Sequence, residues 1–242
     1  MYIYGVEEEV DKFLALVDQH YTRTQCMIEW NYSTANGPGE VSIPLTYKET
    51  YNEFYPWIKL PLNEYFDNYM KSESTVMVLI GPPGTGKTSF IRSMLHHTKS
   101  DAMVTYDADM MNGDALFTKF ISGTSDFLIS EDADEFLSAR RDGNKIMSKF
   151  LNVSDGLVSC QHKKIVFSTN LPSIQSIDPA LLRAGRCYDI VHFRDLSYDE
   201  AKAACKLIGK EPAGMEKDKR YFLTDLFNAP IIVSGTQQKM GF

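Results

Sequence analysis

The sequence predicts an α/β fold, a three-layer sandwich around a parallel central sheet, and three observations carry that prediction. From residue 75 onward, short and nearly continuous apolar runs at 76–80, 103–106, 127–130 and 165–168 are separated by longer connections. That is the pattern of strands buried on both faces with helices between them. The first run leads into Gly81-Pro-Pro-Gly-Thr-Gly-Lys87-Thr88 and then into an amphipathic segment, so a G-x-x-x-x-G-K-[ST] motif stands between strand and helix, the context that gives it meaning. The composition is that of a folded domain: 242 residues, 43% hydrophobic and 24% charged, with 15 glycines and 10 prolines. Such a chain can bury a sizeable core without staples, and it shows no sign of disorder, collagen or coiled coil.

The elements follow in order. Within residues 6–19, Val6, Val10, Phe13, Leu14 and Val17 fall on one helical face. Residues 25–32 and 41–46 read as strands of a hairpin joined by the turn cluster 33–40, and Pro44 confines the second to an edge. The aromatic-rich stretch 47–60 has no period and reads as packing between the N-terminal segment and the sheet rather than a base-stacking platform. Pro61 opens a helix whose Leu62, Tyr65, Phe66 and Tyr69 share a face. After the sheet-forming region, Ser197 and Glu200 predict a capping box for a helix over 198–208, with Gly209 just past its end. This divides the chain into an N-terminal α+β segment (1–60) expected to act as an adaptor, an α/β core (61–195), and a short helical lid and tail (196–242).

Charge and composition exclude several classes. The formal net charge of −7 argues against non-specific nucleic-acid or anionic-membrane binding as the main activity. No apolar run approaches the roughly 20 residues of a membrane helix, and the acidic start lacks the basic-then-apolar order of a signal peptide. Cys26, Cys160, Cys187 and Cys205 are scattered without a C-x-x-C pair. They read as reduced thiols of a soluble protein in a cytoplasmic compartment, with neither a disulfide frame nor a zinc site. His96 and His97 would point roughly 100° apart on a helix and read as a surface pair rather than metal ligands.

The motif dictates a phosphate site. Gly81, Gly84 and Gly86 let the backbone, with Pro82, Pro83 and Thr85, wrap closely around phosphate. The helix N-terminus that carries Lys87, Thr88 and Ser89 adds partial positive charge. Lys87 is expected at the β- and γ-phosphates and Thr88 at Mg²⁺. The run Phe127-Leu-Ile-Ser ends in Glu131-Asp132-Ala-Asp134, which brings carboxylates to the metal and the attacking water. Glu131 is expected on the metal side, and Asp132, also within reach of the metal, at the water as base. Asp134 reads as structural support or a subunit contact. Asn170, ending Lys164-Ile-Val-Phe-Ser-Thr-Asn170, is placed to hold water against the γ-phosphate. Arg183 and Arg186 lie beyond that strand, too far along to serve their own phosphate. Supplied to a neighbouring subunit, such arginines contribute roughly 10³–10⁵ in rate. Asp107 and Asp109 are loop residues that could approach Mg²⁺, and Met110 and Met111 suit either a pore or the core.

Taken in order, GPPGTGKT, the acidic strand end, FSTN and IDPALLRAGR over about residues 60–205 resemble the AAA ATPases. The Glu131-Asp132 order, the segment 151–156 and DPALLRAGR look most like the subgroup of the mitochondrial complex III assembly chaperone and its stand-alone bacterial and phage relatives. The resemblance implies a P-loop NTPase core, with Gly81–Thr88 as Walker A, Glu131 and Asp132 as Walker B, Asn170 as sensor 1, and Arg183 and Arg186 as trans-acting fingers. It also implies ATP and Mg²⁺ as cofactors and rings of six or seven subunits that form with nucleotide. Three departures stand out. Residues 196–242 carry no Gly-Ala-Arg-like sensor 2, which leaves Arg220 as the candidate. Tyr106–Gly113 replaces the aromatic-Gly pore loop of peptide-threading relatives. Residues 1–60 do not match the membrane-spanning region of the mitochondrial relative.

The function expected is therefore a ring-forming ATPase that remodels or assembles a protein client, with no membrane role. The alternative is a DNA-transaction ATPase resembling a helicase loader or clamp loader, which the acidic balance does not favour. A small-molecule kinase lacks an evident acceptor site, and a slow nucleotide switch or scaffold is the remaining class.

Overall fold

The computed structural model describes residues 5–20, 25–137, 162–183, 185–210 and 215–227. Strands β1 (Met27–Thr34), β2 (Gly37–Pro44), β3 (Val76–Ile80), β4 (Ala102–Thr105), β5 (Phe127–Ser130), β6 (Lys164–Thr169) and β7 (Cys187–His192) form one sheet in the order β2-β1-β4-β5-β6-β3-β7. All neighbours pair parallel except the β1–β2 hairpin. The described helices are α1 (Glu7–His20), α2 (Leu62–Lys71), α3 (Lys87–Thr98), α4 (Ala108–Asn112), α5 (Asp114–Ser122), α6 (Asp134–Leu137), α7 (Tyr198–Leu207) and α8 (Leu223–Phe227).

Two cores sandwich the sheet, as the α/β reading requires. Met77 and Leu79 of β3 face one side with Phe66, Phe90, Met94 and Ala204. Val76, Val78 and Ile80 face the other with Met111, Leu116, Phe120 and Leu181. β3, β4, β5 and β6 are buried at every residue, which is why their sequences are continuous apolar runs rather than alternating ones. The stretch 47–60 is packing: Tyr55 is fully buried and meets Phe90, Phe193 and Trp57 edge to face. Met110 and Met111 are core residues.

The structure departs from the sequence reading at several points. The hairpin turn is only Ala35-Asn36, with Thr34 paired to Gly37, so most of the predicted turn cluster is strand. β2 is the edge strand that Pro44 suggests. The hairpin also extends the central sheet, through parallel pairing of Ile28–Trp30 with Ala102–Val104. Lys119 of α5 ties it down by ion pairs to Glu29 (2.7 Å) and Glu40. β7 has no counterpart in the sequence reading, because an edge strand of mixed polarity shows no apolar run. His96 stacks on Tyr47 at 3.9 Å between centroids, and His97 Nε2 meets Asp67 at 2.8 Å, so both bind protein neighbours. Residues 151–156 and Cys160 lie outside the described residues.

Two ionic arrangements fix the frame. Lys164 is fully buried beneath the Tyr69 ring and donates to the carbonyls of Ser72 (2.7 Å) and Ser74 (3.0 Å). Burial pulls its ammonium down to about 8. At α7 the capping box forms as predicted: Ser197 Oγ accepts from the Glu200 N–H, and Glu200 accepts from the Ser197 N–H. Glu200 also takes a two-pronged bond from Arg194, both arms 2.8 Å. That bond, the largest cause, holds its carboxyl down at about 2.

A depressed carboxyl stabilises the fold above its unfolded value and stops doing so once protonated in both states. Glu200→Gln should therefore lower stability by about 1–2 kcal/mol, read as roughly 2–6 °C in thermal unfolding at neutral pH. The gap from wild type should shrink as pH falls from 4.5 to about 2.

Candidate functional site

Parallel pairing sets the C-terminal ends of β3, β4, β5 and β6 along one edge of the sheet, where ligands bind in open α/β folds. The phosphate loop follows β3. Gly81 has φ +152°, and a Cβ there would lie 2.1 Å from the Phe193 carbonyl oxygen. Only glycine lets the chain leave the strand against that backbone. Gly86, at φ +95°, is the N-cap of α3. Its carbonyl accepts from Tyr55 Oη (3.1 Å), and the Gly84 carbonyl accepts from the Thr224 N–H (3.1 Å). The loop is thus clamped from both sides by residues the sequence reading did not single out. Tyr55 lay within the aromatic stretch, and nothing in the sequence marked Thr224.

Within this frame Lys87, Thr88, Glu131, Asp132 and Asn170 line one pocket, together with Pro83, Gly84, Gly86, Ser89, Ser168 and Thr224. Lys87 Nζ donates to the carbonyls of Gly81 (2.5 Å) and Pro82 (3.1 Å) and to Asn170 Oδ1 (2.9 Å). Burial lowers its proton affinity, and Asp132, Asp134 and Glu131 oppose that shift. Thr88 Oγ1 donates to Glu131 Oε1 at 2.6 Å, and Tyr106 Oη donates to Glu131 Oε2 at 2.7 Å. Burial first, and then the bond to Glu131, raise the Tyr106 phenol, which keeps it a donor.

The two acids point to different partners because Asp132 sits at φ +51°, a left-handed conformation rare outside glycine and best tolerated by Asp and Asn. The turn leaves Glu131 on Thr88 and brings Asp132 Oδ1 to Asn170 Nδ2 at 3.0 Å. Asp134 buttresses the edge: its Oδ1 accepts from the Asn170 N–H (2.9 Å) and from the Thr169 hydroxyl. Asp107 faces away from the pocket; it caps α4 and accepts from the Ser33 N–H of β1 at 2.6 Å.

The remaining predicted residues stand elsewhere. Arg183 is exposed, and neither it nor Arg186 lines the pocket. Arg186 Nη1 donates to the Ala180 carbonyl (2.9 Å), bracing its own loop. Arg220 is occupied by Asp195 at 2.8 Å and does not line the pocket either. Beside the phosphate loop, a second, mostly apolar cavity is lined by Lys48, Phe54, Gly86, Arg92, Leu223 and Phe227, among others.

The donor set suits a hard cation next to phosphate. One hydroxyl and one carboxylate already converge at 2.6 Å, a second carboxylate is adjacent, and an ammonium and a helix N-terminus face the same space.

Residues 77–195 match the model of the ATPase family associated with various cellular activities (AAA). This part of the chain is similar to AAA ATPase domains. A 26S proteasome regulatory subunit 8 homolog of Encephalitozoon cuniculi is 31% identical over 163 residues, covering 57% of this chain and 40% of that protein. The corresponding homolog of Saccharomyces cerevisiae is 30% identical over 148 residues, covering 53% and 36%. An AAA-ATPase of Arabidopsis thaliana is 31% identical over 176 residues, covering 64% and 42%. The chain therefore spans about two fifths of the length of these curated relatives. Among the described residues no helix is long and apolar enough to cross a membrane.

Gly86 tests the clamp. A Cβ there would lie 2.6 Å from Leu223 Cδ2 and 3.2 Å from Tyr55, on a backbone that disfavours side chains. Gly86→Ala should cost about 2 kcal/mol or more. Hydrogen exchange should speed up at 223–227, because α8 must retreat from the loop.

Proposed function

We propose that this chain is a ring-forming AAA ATPase that couples ATP binding and hydrolysis to the remodelling or assembly of a protein partner. The observation that carries the reading is the division of the acidic pair, Glu131 on Thr88 and Asp132 on Asn170. That division supports a metal-side role for Glu131 and a water-side role for Asp132 within one pocket.

The residues take roles accordingly. On ATP binding, Lys87 exchanges the carbonyls of Gly81 and Pro82 for β- and γ-phosphate oxygens, and the first N–H groups of α3 take others. Thr88 and Glu131, with Asp132 nearby, would hold Mg²⁺, which would supply positive charge to stabilise the phosphates. Asn170 orients the attacking water, and Asp132 accepts its proton as oxygen bonds to the γ-phosphorus and the bond to the β–γ bridging oxygen breaks. ADP and phosphate are the products. Exposed Arg183 acts on the γ-phosphate of a neighbouring copy, while Arg186 braces the loop that presents it.

The residue 77–195 match and the proteasome-subunit relatives support work on a protein partner in an oligomer. The Glu131-Asp132 order supports placement near the complex III assembly chaperone subgroup. Residues 1–60 are proposed as the adaptor, and the thiols of Cys187 and Cys205 suit a reducing, cytoplasmic setting.

Two variants separate the roles. Asp132→Asn should bind ATP as wild type does, yet release phosphate at least about 100-fold more slowly. Loss of ATP binding instead would reverse the assignment of the two acids. Arg183→Ala should lose about 10³-fold in rate as a pure protein. Mixed with Asp132→Asn, it should recover turnover, because mixed rings contain sites with both residues intact. Failure of the mixture to recover would exclude a trans finger.

A further inference from the structure

We infer that Tyr106 is a positioning residue for Glu131, and that the β1–β2 hairpin sets its placement. The inference rests on the ATPase reading above, but it concerns residues that no part of the phosphate motif contains. Glu131 is held at both oxygens: Thr88 takes Oε1 at 2.6 Å and Tyr106 takes Oε2 at 2.7 Å. Thr88 is expected to turn to the metal when nucleotide binds, which leaves the Tyr106 hydroxyl as the contact that still restrains the carboxylate. The Tyr106 ring is 54% exposed, so burial alone does not account for its placement.

What places Tyr106 is the residue on each side of it. Thr105 is the last residue of β4, fully buried. Asp107 uses its two carboxylate oxygens separately. Oδ1 caps α4 through the Asp109 N–H (2.8 Å) and the Met110 N–H (3.4 Å), and Oδ2 accepts from the Ser33 N–H at 2.6 Å. Ser33 belongs to β1, which is itself paired in parallel with β4 from Ile28 to Trp30. A continuous set of contacts thus runs from the hairpin through Asp107 to Tyr106 and Glu131. The opposite end of that set is open: Trp30, Val41 and Ile43 of the hairpin are each at least 40% exposed. A shift of the hairpin against β4 would move Tyr106, and with it the orientation of the metal-side acid.

Tyr106→Phe removes the hydroxyl and little else. In full-length protein its kcat for phosphate release should fall about 10- to 100-fold with KM within about twofold, a loss of roughly 1.4–2.7 kcal/mol in the transition state. A second reading does not depend on turnover: Mg²⁺ titration of the binding of a fluorescent ATP analogue should show an apparent Mg²⁺ affinity about fivefold weaker, with nucleotide affinity in EDTA unchanged. Asp107→Asn keeps an oxygen for the α4 cap but loses the acceptor for Ser33, so it should reproduce both effects in weaker form. It serves as the test if Tyr106→Phe does not fold. An unchanged kcat or an unchanged Mg²⁺ affinity in Tyr106→Phe overturns the positioning role. Wild-type behaviour of Asp107→Asn overturns the link to the hairpin. A parallel loss of thermal stability and EDTA-measured affinity would make Tyr106 merely structural. Absence of phosphate release in the wild type would instead strike the ATPase reading, while the Mg²⁺ titration would still report on Tyr106.

Discussion

A buried ammonium among carbonyls and carboxylates organises the edge of the sheet. Lys87 spends its three donors on two loop carbonyls and Asn170. Desolvation would favour the neutral amine, and three nearby acids oppose that. Such a cation already has its donors on protein oxygens. Phosphate binding can then proceed by exchanging partners rather than by stripping water from a lysine in bulk solvent. The loop glycines serve the same end, since the close approach at Gly81 and Gly86 leaves no room for a side chain where the loop turns from β3 into α3.

Neighbouring elements hold this edge from outside the motif. Asp134 fixes the backbone of Asn170, Tyr55 and Thr224 fix the loop, and Tyr106 fixes Glu131. The left-handed Asp132 concentrates backbone strain where the two acids must diverge, a location that strain tends to share with function. The hairpin adds two strands to the side of the sheet that ends in β4, so it is continuous with the strand that leads into Tyr106.

Much of this was legible in the sequence, and the reasons differ by element. β3, β5 and β6 declare themselves because strands buried on both faces need unbroken apolar runs, and the phosphate loop because its glycines and lysine have few alternatives. The capping box of α7 is equally local. β7 was illegible because edge strands tolerate Asp189 and His192, and the hairpin's place in the sheet depends on pairing between residues about 74 apart. Tyr55, Tyr106 and Thr224 reach the site only through tertiary contacts, for which no spacing rule exists. The arginine pair was visible, but its separation into an exposed Arg183 and a braced Arg186 was not.

The most direct test of a phosphate site completed by a neighbouring copy is mass by light scattering with and without MgATP, taken with the phosphate-release rate per protomer across a range of protein concentrations. Mass should rise to a closed multiple of the monomer in MgATP, and the rate per protomer should climb with it to a plateau. A monomer at every concentration, with a constant rate per protomer, would contradict the shared site.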